Sequence, residues 1–283
     1  MAPRNNPTAR QVRLGTELRR MREQAGMKAS EAARLLGVSP MQMSHMETAR
    51  LGVGKERLRT LAAQYGCADA AYVDALVAMT GRRGPEWWQK FRNSVPPEAL
   101  DLAALEWYAK SIQGLQTVHV PGLLQTTAYT RALFSYLSPG TMPADLDAEV
   151  EFRKRRRAVL ERDDPPPYSA IIHEAALRVL VGDRDVAREQ LNALLEQSEQ
   201  PGVTIRVVPF SAERFAGMGY SMLYATGPVP QLDTVQIDHV HGSVFLDTEK
   251  QLAHYRDRWR TVERSALGPG ETRNVIHRVA REL

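Results

Sequence analysis

At 283 residues the chain is too long for a single small helical module and long enough for such a module plus a second domain with its own core. Hydrophobic content of 43% and charged content of 25% exclude wholesale disorder, and no apolar run approaches the roughly 20 residues that span a bilayer. The net charge of +4 conceals an asymmetry: residues 1–66 carry +7, with twelve Lys or Arg against five Glu and no Asp, while the remainder carries −3. Only the front of the chain seeks polyanions.

The N-terminal stretch MAPRNNPTARQVR has basic residues but no apolar segment behind them. That argues against a secretory signal and for a protein that stays in the cytoplasm. The single cysteine, Cys67, can neither close an internal disulfide nor join a second cysteine on zinc, and reads as a small residue near a helix start. From residue 8 to 25, Leu14, Leu18, Met21 and Ala25 recur at helical spacing, with arginines on the wet side.

Residues 27–50, MKASEAARLLGVSPMQMSHMETAR, read as two short helices around one tight turn. Ala32, Ala33, Leu35 and Leu36 give the first an apolar face, and Gly37 supplies a residue able to take positive φ. Val38 is a small plug between the helices. Ser39 followed by Pro40 signals an N-cap with proline at the first helical position. Met43 and Met46 face inward at helical spacing, leaving Met41, Gln42, Ser44 and His45 outward. A fourth helix follows in LGVGKERLRTLAAQYG, with Leu58, Leu61 and Tyr65 inward, and a fifth in ADAAYVDALVAM. Five short helices in about 80 residues are what a helix-turn-helix needs to seat its two recognition elements.

These residues resemble the lambda-repressor-like, Xre-type family. The resemblance implies a salt bridge between Arg22 of the first helix and Glu47 at the end of the reading helix. It places Pro40, Met41, Gln42 and His45 at base-facing positions, and Lys28, Ser44, Arg50 and Lys55 near phosphates of double-stranded DNA. Two positions differ from the family pattern: Ala29 stands where a phosphate-holding glutamine is common, and Thr48-Ala49 where Asn-Gly often ends the reading helix. Of the outward residues, only Gln42 and His45 can hydrogen-bond to base edges, while Met41 offers an apolar contact.

A linker falls at residues 81–86, where GRRGP places two glycines and a proline in five residues. The expected organisation is a helix-turn-helix domain over 1–80 and a larger α+β domain over 87–283. Trp87, Trp88 and Phe91 form an aromatic cluster that packing of the second domain's first helix explains. Leu102, Leu105 and Tyr108 continue an amphipathic helix, and Val118 with Val120 predicts a short strand. Residues 147–162 read as a helix carrying RKRRR at 153–157, either a solvated face, a second phosphate-contacting patch or a docking site for an acidic partner. Strands are predicted in YSAIIHE, VTIRVVPF and YSMLYAT, a hairpin in TVQIDHV with SVFLD, and helices in EQLNALLEQ and the last two amphipathic segments. Strands that follow one another late in the chain imply an antiparallel or mixed sheet with helices on one side.

The motifs VPGLLQT (120–126), AYTRAL (128–133), HEAALR (173–178) and VVPFSAERFAGMGYS (207–221) resemble the effector domain that follows Xre-type modules in many actinobacterial regulators. That family includes antitoxin-like regulators whose genes sit beside a small partner protein.

Enzymatic motifs fail on inspection. HEAAL begins like a zinc-protease helix, but Leu177 stands where the second histidine is needed. GYSML has Leu223 in place of the second glycine of a nucleophile elbow, and Gly217-Met218-Gly219 lacks the rest of a phosphate loop. His173, Asp238, His239 and His241 could converge, although histidines at strand ends are more often structural. The leading expectation is a DNA-binding regulator, homodimeric on an inverted repeat and nucleoid-associated, whose C-terminal domain binds a small partner protein. An alternative is a ligand sensor with Trp87, Trp88, Phe215 and Tyr220 lining its pocket, and a third is a C-terminal enzyme. No catalytic residue, metal or cofactor is assigned.

Overall fold

The computed structural model describes residues 6–81, 86–137, 142–213, 221–239 and 242–283. The chain divides into two compact units, Met1–Gln89 and Lys90–Leu283. Among the described residues no helix is long and apolar enough to cross a membrane.

The first unit holds five helices: α1 (Ala9–Gln24), α2 (Ala29–Leu35), α3 (Pro40–Glu47), α4 (Lys55–Gln64) and α5 (Ala70–Met79). Local signals set their starts. Thr8 and Gln11 form a capping box on α1, Ser39 and Gln42 form one on α3, and the Asp69 side chain caps α5. Gly37 takes a φ of 65° in the turn between α2 and α3, a conformation costly for any side chain. Leu14, Leu18, Met21, Ala32, Ala33, Met43, Met46, Leu58, Leu61 and Leu76 make the core. Leu35 departs from the expected apolar face and is exposed, because a seven-residue helix turns only its Ala32–Ala33 stripe inward. Ala25 is likewise exposed, as the C-cap of α1.

Buried polar groups lock this bundle. The Glu17 carboxylate accepts from Arg13 Nε (2.6 Å), Arg20 Nη1 (2.5 Å) and the Tyr72 hydroxyl (2.6 Å), tying α1 to α5. Glu17 is 3% exposed, so each bond replaces water that it lost on folding.

Trp87–Phe91 forms a 3₁₀ turn rather than the start of an α-helix, with Trp88 buried. The second unit then runs α6 (Pro97–Tyr108), β1 (Ser111–Gln116), α7 (Thr127–Leu137), α8 (Pro143–Arg156), β2 (Tyr168–His173), α9 (Glu174–Arg178), α10 (Arg184–Gln197), β3 (Val203–Val208), β4 (Met222–Thr226), β5 (Thr234–His239), β6 (Gly242–Leu246), α11 (Glu249–Ser265) and α12 (Pro269–Glu282). The strands make one mixed sheet in the order β3-β2-β1-β4-β5-β6. β1, β2 and β3 are parallel, and β4, β5 and β6 are antiparallel to their neighbours. The fold is therefore a helical helix-turn-helix unit followed by an α+β domain.

Helices cover both faces of this sheet, not one. Ile112, Ala170, Ile172, Ile205 and Val207 pack with residues of α7, α10 and α12, whereas Leu115, Ile171, Val208, Met222 and Tyr224 pack with Leu252, Trp259 and Val262 of α11. Alternate residues of a strand point to opposite faces, so a strand such as β2, apolar on both, needs a cover on each. The strand expected at Val118 and Val120 lies earlier, at 111–116, and Val118 is exposed. Gly114 interrupts the apolar pattern of β1 because a Cβ there would stand 3.2 Å from the Tyr168 hydroxyl. In α6 the residues turned fully inward are Ala103 and Glu106, while Leu102, Leu105 and Tyr108 are half-buried. The helix expected over 147–162 starts earlier, at Pro143, and after Arg156 tightens into a 3₁₀ turn over Arg157–Val159.

Candidate nucleic-acid interface

Two contacts hold α3 against α1. Arg22 donates from Nε to Glu47 Oε1 (2.6 Å) and from Nη2 to Glu47 Oε2 (2.9 Å), a two-pronged pair that fixes direction as well as distance. Its third nitrogen, Nη1, donates to the Met27 carbonyl (2.8 Å), so one side chain joins α1, the α1–α2 turn and the end of α3. The Glu47 bonds raise the Arg22 pKa against the opposing effect of burial. The second contact is steric and was not foreseen. Gly15 faces the last turn of α3, and a Cβ there would meet the Glu47 carbonyl oxygen at 2.5 Å.

Beside the ion pair stands Tyr65, 7% exposed, whose hydroxyl has no hydrogen-bond partner among the described residues. Burial pushes that hydroxyl up to about 12, with the Glu47 charge adding to the effect. Ala49, which stands where the resembled family often has glycine, follows α3 with a φ of 61° and is buried.

So seated, α3 turns Met43 and Met46 into the core, each 1% exposed. Pro40, Met41, Gln42 and Ser44 are exposed and His45 is half-buried. Met41, at 69% exposure, is an apolar side chain left in water on the outer face. Gln42 has a second task. Its backbone N–H donates to Ser39 Oγ (3.2 Å), and its Oε1 accepts from the Ser39 backbone N–H (2.9 Å). Its Nε2 donors stay open, and its Oε1, which already accepts one bond, has a single lone pair left, so a two-way pairing with adenine would share that oxygen with the cap. Ser44 on α3 is exposed, as are Lys28 at the N-cap of α2, Arg50 after α3 and Lys55 at the first position of α4.

The remaining candidates make local contacts. His173 caps α9, its Nδ1 accepting from the Ala175 N–H (3.2 Å), with its ring edge-on to Phe210 at 5.1 Å. Asp238 accepts from Gln236 Nε2 (2.6 Å) and Ser243 Oγ (3.1 Å), and His239 is exposed at the end of β5. His241, Phe215, Tyr220 and Gly217-Met218-Gly219 lie outside the described residues. Trp87 is half-buried and meets the buried Trp88 edge-on, ring centres 5.6 Å apart. Among the described residues no three His, Cys, Asp or Glu side chains group as metal ligands.

The VPGLLQT segment is a polar knot. Gln125 donates from Nε2 to the Val120 carbonyl (2.7 Å), and its Oε1 accepts from Thr130 Oγ1 (3.2 Å) and Arg153 Nη1 (3.1 Å). The Thr126 N–H donates to Gln190 Oε1 (2.8 Å), whose Nε2 donates back to the Leu124 carbonyl (2.9 Å). Gly122 leaves room for the Arg153 guanidinium, whose Nη1 would lie 2.5 Å from a Cβ at that position. The basic run of α8 is consequently not one solvated face. Arg156 turns inward to a bidentate pair with Glu106 (2.9 and 2.5 Å), both nearly inaccessible, and Arg153 turns onto Gln125 and the Phe134 ring.

A capped, outward-facing helix locked across a second short helix defines a helix-turn-helix unit, the element by which regulators bind DNA. The sequence comparisons agree: residues 13–76 match the family described as a helix-turn-helix domain. Residues 99–278, more than half of the chain, match the family described as a domain of unknown function (DUF5753), and the chain belongs to that family. No curated protein and no solved structure matches the chain.

Proposed function

We propose that the chain is a sequence-specific transcriptional regulator of Xre type that reads an inverted-repeat operator as a homodimer, with α3 in the major groove. The observation that carries this is the outer face of α3: exposed Pro40, Met41, Gln42 and Ser44 on a helix whose angle the Arg22–Glu47 pair and the Gly15 contact set. Met41 meets a thymine methyl, Gln42 donates from Nε2, and His45 reads the next base edge, beside Pro40. Lys28, Arg50, Lys55 and the Ser44 hydroxyl hold phosphates, in keeping with the +7 charge of residues 1–66. So few base contacts leave part of the specificity to half-site spacing and DNA shape.

In this reading the DNA-binding domain spans 1–80, the linker 81–86 and the effector domain 87–283. The effector domain acts by binding rather than by catalysis. Its motifs VPGLLQT and HEAALR spend their polar groups on internal bonds and a helix cap, which supports a scaffold for recognition. The resemblance of those motifs to antitoxin-like actinobacterial regulators supports a small partner protein, encoded nearby, as what the domain binds at the nucleoid.

Mobility shifts on the protein's own promoter test the DNA-binding half. Gln42→Ala and His45→Ala are expected to lose affinity for that promoter while keeping weak, salt-sensitive binding to unrelated duplex. Equal promoter affinity for wild type and both variants at every salt concentration would sink direct readout by α3. Co-purification from the native host tests the partner: a small protein retained by the effector domain supports it, and its absence under conditions that retain DNA binding counts against it.

A further inference from the structure

Between the start of α7 and the outer side of α8 lies a cavity of about 470 Å³. That is within the range of small-molecule sites, roughly 300–1,000 Å³. One side is built from the end of the VPGLLQT segment: the Gln125 amide and the hydroxyl-bearing Thr126 and Thr130. These are held rigidly, because Thr126 Oγ1 accepts from the Tyr129 N–H (3.2 Å), Thr130 Oγ1 donates to Gln125 Oε1 (3.2 Å), and both threonines are buried.

The other side comes from the basic run of α8. While Arg153 and Arg156 turn into the domain, the remaining three cations, Lys154, Arg155 and Arg157, line the cavity. Arg155 is paired with Glu151 (2.7 Å) and Arg157 with Glu161 (3.1 Å), but Lys154 has no ion pair among the described residues. Behind the polar wall, Arg153 also has no carboxylate at ion-pair distance among the described residues, and its buried Nε has no acceptor. Glu151 and Glu161 line the cavity too, each paired with one of the arginines, so three cations and two carboxylates leave one net positive charge beside a fixed set of hydroxyl and amide groups.

We propose that this cavity binds a small organic phosphate, its phosphoryl group on Lys154 and Arg157 and its hydroxylated body against Gln125, Thr126 and Thr130. The phosphate supplies an ion-pair partner for Lys154, and its oxygens accept from the Lys154 and Arg157 nitrogens; the Thr126 hydroxyl, which accepts from Tyr129, keeps its proton to donate to the body. A body bearing hydroxyls matches a wall that is polar but carries no charge of its own. The site would give the effector domain a chemical input besides any protein partner, and it stands whether or not α3 reads DNA.

Titration calorimetry on the full chain tests this with ribose 5-phosphate and adenosine monophosphate as probes, against ribose and adenosine. The expected result is saturable binding of at least one phosphorylated probe, no binding of its uncharged counterpart, and at least a tenfold loss with Lys154→Glu, an exposed position whose change leaves the fold intact. Ala158→Trp, which fills the cavity from the 3₁₀ turn after α8, is expected to abolish binding with an unchanged circular dichroism spectrum. No binding of either phosphorylated probe, or equal binding by wild type and Lys154→Glu, would overturn the proposal. Displacement of a bound probe by short duplex DNA in a Lys154-dependent manner would overturn it too, by assigning the cations to nucleic-acid phosphates. His45→Ala is expected to leave probe binding untouched, which separates failure at this cavity from failure of DNA reading.

Discussion

Gly15→Ala is a substitution whose sign the structure decides against local propensity. In an isolated helix, alanine in place of an interior glycine stabilises by about 0.5–1 kcal/mol. In this bundle the new Cβ would stand 2.5 Å from the Glu47 carbonyl oxygen and 2.9 Å from both the Glu47 carbonyl carbon and the Met46 carbonyl oxygen. All three are backbone atoms, so no rotamer change relieves the contact. Reaching an ordinary separation of 3.4 Å requires the end of α3 to retreat by about 0.9 Å. That movement would stretch the Arg22–Glu47 bonds, now 2.6 and 2.9 Å, toward the limit of useful hydrogen bonding. Overpacking of this kind costs about 1–3 kcal/mol, and weakening a buried ion pair adds to it. The net expectation is a loss of about 1–2 kcal/mol, because the clash exceeds the propensity gain. Hydrogen exchange of the full chain reads this as roughly five- to thirtyfold faster exchange of the slowest α1 and α3 amides. Slower exchange in Gly15→Ala than in wild type would refute the argument that backbone contact at Gly15 sets the angle of α3.

Other outcomes follow from the same geometry. Tyr65→Phe removes a buried hydroxyl that has no partner, so the helix-turn-helix unit is expected to gain about 1 kcal/mol in urea unfolding, and a loss would mean that the hydroxyl is satisfied. Gln42→Glu keeps an oxygen acceptor for the Ser39 N–H and puts a negative charge in the first turn of α3. Thermal stability is expected to hold while operator affinity falls at least tenfold; parallel losses in both would show that Gln42 acts only as a cap. Burial lowers the pKa of His173, and its neutral ring is the form that accepts from Ala175. A folded value below the unfolded one means that stability is present above the unfolded pKa and lost as pH falls through the folded value. His119, also lowered by burial, acts in the same direction. The urea midpoint of the effector domain is therefore expected to drop between about pH 7 and 5. His173→Asn, which can still cap, should flatten part of that drop, and an unchanged slope would remove His173 from the account.

The helical unit was legible because its signals are local. Apolar spacing placed Leu14, Leu18, Met21, Leu58 and Leu61, all of which are buried, and Ser39-Pro40 marked the start of α3. Two features of the reading head were written in the sequence but overlooked. A glycine inside an otherwise regular helix usually has a packing reason, which is what Gly15 has. Ser39 with Gln42 is the Ser-x-x-Gln pattern of a capping box, which commits one end of a base-reading side chain. Other features depend on residues distant in sequence. The Tyr72–Glu17 bond joins positions 55 apart, and nothing near Glu17 announces it. β1 was displaced because SIQGLQ carries its apolar residues on both faces and spends Gly114 on room for Tyr168. The basic run looked like one surface because its partners, Glu106 on α6 and Gln125 before α7, come from other elements.

The central claim is that the outer face of α3 reads DNA sequence. Sequencing of random duplex fragments retained by the full chain, alongside the triple variant Met41→Ala, Gln42→Ala and His45→Ala, tests it most directly. Wild type is expected to enrich one inverted repeat and the variant to lose it, with weak salt-dependent retention remaining. The same repeat enriched by both proteins, or none enriched by wild type, would contradict it.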